Sequence, residues 1–154
     1  RVRSSAASDV YKRQDPTRAA FLSWLMFTSN SLHQTVLTLI HPDRMAGEAV
    51  QDVVQASALE RLHEAAGHLE AMLAAKDPDW LSPRQPGALG YYLGILFRWA
   101  IYLPEDEAMR FSLRPYPALR AVLAAHETFP AALRVAEADV LGATPFTAPE
   151  TATG

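Results

Sequence analysis

The chain contains no cysteine, which excludes disulfides, thiolate metal sites and a cysteine nucleophile within it. The same absence fits a reducing compartment, so the chain is expected to be cytoplasmic. Long apolar runs are missing as well. The longest candidate, Ala88 to Leu103, is interrupted by Gly90, Gly94 and Arg98, and a span needs roughly 18–20 unbroken apolar residues. A buried helix is the better reading, with no membrane partner. Basic charge is scarce where it would matter. The 14 Lys and Arg face 17 Asp and Glu, and four of the basic groups (Arg1, Arg3, Lys12, Arg13) sit in the first fourteen residues. The remaining 140 residues hold 10 basic and 16 acidic groups, a net −6. Nucleic-acid binding rests on Lys and Arg neutralising phosphates, so an acidic body excludes it.

What is present is a globular composition, 49% hydrophobic and 20% charged over 154 residues. That is enough chain for one domain with a real core. Residues 1–14 lack periodicity and have no apolar segment of the secretory kind. The string Ser4-Ser5-Ala6-Ala7-Ser8-Asp9-Val10-Tyr11-Lys12-Arg13-Gln14 resembles translated sequencing-adapter sequence, so 1–14 is expected to be a non-native or disordered leader.

The body, 15–141, reads as a run of helices. Asp15-Pro16 is a start signal, because Asp accepts hydrogen bonds from orphan N–H groups and Pro suits a first turn. Phe21, Leu25, Thr28, Leu32, Val36 and Leu39 then recur at spacings of three and four, the helical period. The end is expected near His41-Pro42, since a residue before proline is pushed out of the α region. A second helix is predicted from about Gly47 to Lys76. Its buried stripe is Val54, Ala58, Leu62, Ala65, Leu69 and Leu73, with Glu60, Arg61, Glu64 and Glu70 mostly outside it. The third, roughly Gly87 to Tyr102, is apolar nearly all round and reads as a central helix packed on several sides. Pro117 opens a helix to about Glu127 and Pro130 opens one to Ala138. Residues 142–154, rich in Thr, Pro and Ala, read as a flexible tail that drapes or frays. No alternating strand pattern appears. The fold class is all-α, an orthogonal bundle of about five helices.

Most chemical templates fail. His63-Glu64-Ala65-Ala66-Gly67-His68 superficially resembles the zinc motif H-E-x-x-H. Its five-residue spacing, however, sets the two imidazoles roughly 140° apart on a helix, where a spacing of four would bring them together. Both are expected to be solvated, on either side of the second helix, with no metal bound. Glu105-Asp106-Glu107 lacks the spaced oxygens and glycine of a calcium loop. Ser29 and His33 lie four apart, but no Asp completes a triad. What remains is a helix segment, Trp24 to His33, in which His33 stands at the edge of the core stripe and Thr28, Ser29 and Asn30 add polar reach. Trp24 and Phe27 lie off that stripe. Tyr91, Tyr92, Phe97, Trp99 and Tyr102 are assigned to the core.

The landmarks in order resemble the C-terminal helical domain of bacterial glutathione S-transferases. They are Asp15-Pro16-Thr17-Arg18-Ala19 with Trp24-Leu25-x-Phe27, Ser29-x-x-Leu32-His33, and His41-Pro42-Asp43-Arg44. Leu69-Glu70-x-Met72-Leu73 with Trp80-Leu81 follows, then Arg98-Trp99-Ala100, Tyr116-Pro117-x-Leu119, Phe129-Pro130-Ala131 and Ala136-Glu137. The resemblance covers roughly 15–140. It implies a parent enzyme in which an N-terminal thioredoxin-like domain, absent here, binds glutathione as cosubstrate and activates its thiol. The helical domain then supplies a wall for a hydrophobic electrophile. It also implies a homodimer. On that reading Trp24, Phe27, Thr28, Asn30 and His33 are substrate-binding, no residue here is catalytic, and the fragment alone is inactive.

The chain departs from the beta-type pattern at Met26, Ser31 and Gln34, where Asn, Glu and Lys are usual. It also departs where the family's central helix opens with the capping box Ser/Thr-x-x-Asp, because here the run is Gly87-Ala88-Leu89-Gly90. Restoring the box with Gly87→Ser and Gly90→Asp is therefore expected to raise the melting temperature. Two other functions compete: a non-catalytic transferase-like dimerisation or interaction domain, and a helical ligand-binding domain of a transcriptional regulator.

Overall fold

Asp15 opens the first helix by turning its carboxylate back on the chain: Oδ1 accepts from the Thr17 N–H at 2.8 Å and from the Thr17 hydroxyl at 2.7 Å. The structure, a computed structural model, describes residues 15–149, so the leader expected at 1–14 and the last residues of the tail lie outside the described residues. Helix α1 (Arg18–Phe27) runs into a π-helical turn, Thr28–Leu32, and on into α2 (His33–Ile40) without a break. In that turn the His33 N–H reaches back five residues to the Thr28 carbonyl. Thr28, Leu32 and Val36, four apart, are all fully buried. An α-helix repeating every 3.6 residues would rotate such a series steadily off one face, and one wider turn takes up that drift. The helix stops at His41, whose backbone leaves the helical region before Pro42 (φ −134°, ψ 60°).

Helix α3 (Gln51–Lys76) is entered through a short 3-10 turn, Glu48–Val50, where the periodicity predicts α-helix from Gly47. Of its expected stripe, Ala58, Leu62, Ala65, Leu69 and Leu73 are buried, while Val54, in the first turn, is only half-buried. Asp77 ends it in the left-handed region, φ 36°. Helix α4 (Ala88–Tyr102) is the central helix, and α5 (Pro117–Thr128) and α6 (Pro130–Ala138) follow. All regular elements among the described residues are helical. Around the core, α2 packs on α3 and α4, and α5 closes the ring by packing on the same two helices. Among the described residues no helix is long and apolar enough to cross a membrane.

Two helix starts are capped from far along the chain. The Glu70 carboxylate, expected to lie outside the packed face, accepts from the N–H groups of Ala118 and Leu119 at 3.0 and 2.8 Å. It fills the N-terminus of α5, which begins with Pro117 and has no local cap. The start of α4 is capped by His126, whose Nε2 accepts from the Gly87 N–H at 3.2 Å. The Gly87-x-x-Gly90 run is therefore no defect. A Cβ built at Gly90 would fall inside the His126 imidazole, and one at Gly87 would lie 3.0 Å from the Trp80 carbonyl oxygen. This overturns the expectation that Ser and Asp at these positions stabilise the protein.

Of the two fates expected for the tail, residues 142–149 drape. Glu127, 4% exposed, accepts from the N–H groups of Phe146 and Thr147, each at 2.6 Å, and from the Thr147 hydroxyl. Arg98 donates to the Pro145 carbonyl at 3.1 Å. These bonds seat Phe146 against Gly94, where a Cβ would come within 2.8 Å of the ring.

Candidate functional site

The five residues expected to form a ligand wall fall in four separate settings. Trp24 and Phe27 are half-buried and touch edge to face, ring centroids 5.3 Å apart. His33 is half-buried on the far side of the π turn and faces α4. Its Nδ1 lies 2.8 Å from the Tyr92 hydroxyl, with the rings edge to face and Trp99 tilted beside them at 6.1 Å. Among the described residues no ring contact or hydrogen bond joins the two aromatic groups. Thr28 belongs to neither: it is fully buried in the core, and its hydroxyl has no hydrogen-bond partner. A side chain with no exposed surface does not line an open wall. Asn30 is exposed and its amide oxygen accepts from the Ser29 hydroxyl at 3.1 Å.

The two residues that complete the His33 group, Tyr92 and Trp99, are half-buried rather than core. They stand seven apart on α4, two helical turns, and so share one face. That spacing was available in the sequence. It was masked by the nearly continuous apolar character of the helix, which gives no reason to separate a ligand-facing aromatic from a packed one.

Burial raises the Tyr92 phenol above its ordinary value of 10.0. A phenol can donate or accept and the imidazole tautomer sets which, so the contact ties the two rings whichever atom carries the hydrogen. Among the described residues no carboxylate hydrogen-bonds this imidazole, and the pair is a fixed polar point within an aromatic surface. An aromatic surface with one polar point has the chemistry to stack on a flat apolar molecule and to hydrogen-bond it once.

The remaining histidines depart from expectation on one side only. His68 is exposed. His63 is half-buried, tilted against the Phe111 ring at 4.7 Å, with Nδ1 2.9 Å from the Tyr116 hydroxyl, which itself donates to the His63 carbonyl. Burial lowers its affinity for a proton. His63 is a structural pin between α3 and the start of α5 rather than a solvated residue. No group of three or more His, Asp or Glu able to hold a metal occurs among the described residues.

Two further concavities are present. One, of about 540 Å³, opens beside His41 and Pro42 and is lined by Asp52, Gln55, Glu105 and Asp106. The other, of about 250 Å³, lies between α4, α6 and the tail, lined by Tyr91, Ile95, Val135, Leu141 and Phe146. No family model, no curated protein and no solved structure matches the chain.

Proposed function

We propose that this chain is the helical, substrate-binding domain of a glutathione S-transferase, whose parent protein conjugates glutathione to hydrophobic electrophiles. The observation that carries the reading is the His33–Tyr92 contact with Trp99 beside it, an aromatic surface built by the first and central helices together. Those are the two helices that the resemblance assigns to the electrophile wall. Trp24 and Phe27, a separate aromatic pair before the π turn, and the exposed Asn30 are assigned to the same wall, while Thr28 lies in the core beneath it.

In this role the domain orients the electrophile. Holding a reacting carbon in line with a nucleophile removes translational and rotational freedom from the chemical step, and an apolar wall excludes the water that would compete. Stabilising the glutathione thiolate requires a positioned donor, which belongs to the thioredoxin-like domain of the parent. The parent is further read as a cytoplasmic homodimer.

The sequence that precedes the helical domain in the parent protein tests the proposal. A β-α-β pattern of about 75–85 residues with Val-Pro before a strand is expected. A helix-turn-helix in its place would assign the chain to a transcriptional regulator instead.

A further inference from the structure

His126 holds the start of the central helix from inside the protein. Its side chain is fully buried. Nδ1 lies 2.8 Å from the Val122 carbonyl, which can only accept, so this nitrogen carries a proton. Nε2 lies on the Gly87 N–H, which can only donate, so this nitrogen carries none. The two contacts together permit only the neutral imidazole with its hydrogen on Nδ1. Gly90 makes the room: the ring occupies the space its side chain would take. Tyr91 and Phe129 close the ring in edge to face, at 5.2 and 5.3 Å.

We propose that His126 is an acid-operated latch on the first turn of α4. A proton on Nε2 destroys the acceptor and sets two N–H donors against each other. It also places a full positive charge at the positive end of the α4 dipole. That turn begins with the Tyr91 N–H donating to the Gly87 carbonyl at 3.2 Å, and Tyr92 follows directly on it. Fraying that passes from this turn into the next residue withdraws the Tyr92 hydroxyl from His33, so acid loosens the aromatic surface.

The groups facing the ring offer the added charge no counterion. From α4 the neighbour is the Tyr91 phenol, with Arg134 of α6 acting on that phenol from beyond it. From the α5–α6 junction it is Phe129. On its own helix it is the Val122 carbonyl, while the adjoining Glu127 carboxylate is committed to Phe146 and Thr147. In the segment before α4, Asp77 and Asp79 pair with Arg84. The latch stands on this geometry alone, whatever ligand the aromatic face takes.

Amide hydrogen exchange on the full chain, measured by NMR from about pH 7.5 to about pH 5 and corrected for intrinsic rates, tests it. Protection at Gly87 and Tyr91 is expected to fall at least about tenfold, and by more than at Leu69 and Leu73 of α3, which report the global change. Constant protection at Gly87 would overturn the latch. His126→Gln, which does not titrate, is expected to remove the pH dependence at Gly87. A Gln variant that keeps it would also overturn the proposal. Should that variant not fold, the ring nitrogen shifts of the unaltered chain decide. Nε2 must gain its proton over the same pH range in which Gly87 loses protection, and protonation without that loss contradicts the latch.

Discussion

Tyr92 and His33, 59 residues apart, meet at 2.8 Å and tie the central helix to the first helix just past its π turn. The bond gives the aromatic surface a fixed polar point. Tyr92→Phe keeps the ring packing and removes the hydroxyl. The expected loss of stability is about 1 kcal/mol, the usual net worth of one partly buried hydrogen bond. Urea unfolding monitored by circular dichroism measures it. A loss of several kcal/mol would mean that the phenol supports the core rather than the surface.

Gly87→Ser with Gly90→Asp lowers the melting temperature. The Asp side chain must displace a buried imidazole, and overpacking of this kind costs about 1–3 kcal/mol, with the loss of the His126 cap added to it. Gly90→Asp alone accounts for most of the effect, since Gly87 has ordinary extended backbone and only one close neighbour. Differential scanning calorimetry of the two single variants and the double checks this. A rise in the double variant would remove His126 from its place at the helix start.

Glu127→Ala releases the tail. The buried carboxylate serves both backbone N–H groups of Phe146 and Thr147 as well as the Thr147 hydroxyl. Charge-assisted bonds of this kind are the strong ones, so the loss is about 3 kcal/mol. Limited proteolysis is expected to cut the variant within 142–149 at concentrations that leave the unaltered chain intact.

Stability falls on mild acidification. Burial lowers the folded-state proton affinity of both His126 and His63 below the ordinary value of 6.5, with the Val122 carbonyl opposing it at His126. The unfolded chain therefore binds protons first as pH decreases. The stability these neutral imidazoles confer is full above about pH 6.5 and is lost progressively below it, until the folded-state values are passed. Urea midpoints at about pH 7.5 and about pH 5.5 are expected to differ in that direction. Equal midpoints would contradict neutral burial of the two rings.

The local grammar of the fold is readable from the chain alone. Asp15-Pro16 announces the first helix, the spacing from Phe21 to Leu39 marks its buried side, and Pro117 and Pro130 start their helices where they stand. The devices that hold the helices together are not readable in the same way. Glu70 caps a helix 48 residues later, and His126 caps one 39 residues earlier. A carboxylate on a helix edge or a histidine near a helix end has many solvated counterparts, and nothing local distinguishes the one that reaches across. The π turn leaves no local mark either, because Thr28-Ser29-Asn30-Ser31-Leu32 is compatible with ordinary helix. Within the candidate site, Trp24, Phe27 and His33 were recognisable. Their partners on α4 were hidden because Tyr92 and Trp99 resemble core residues of an apolar helix.

The central claim is that Trp24, Phe27, His33, Tyr92 and Trp99 receive a flat apolar electrophile. An NMR titration of the full chain with S-(2,4-dinitrophenyl)glutathione, a conjugate of the expected product class, tests it most directly. The predicted result is saturable movement of the Trp24 and Trp99 indole N–H signals and of the His33 ring signals, reduced in Tyr92→Ala. Shifts confined to the cavity beside Tyr91 and Phe146, or none on saturation, would contradict it.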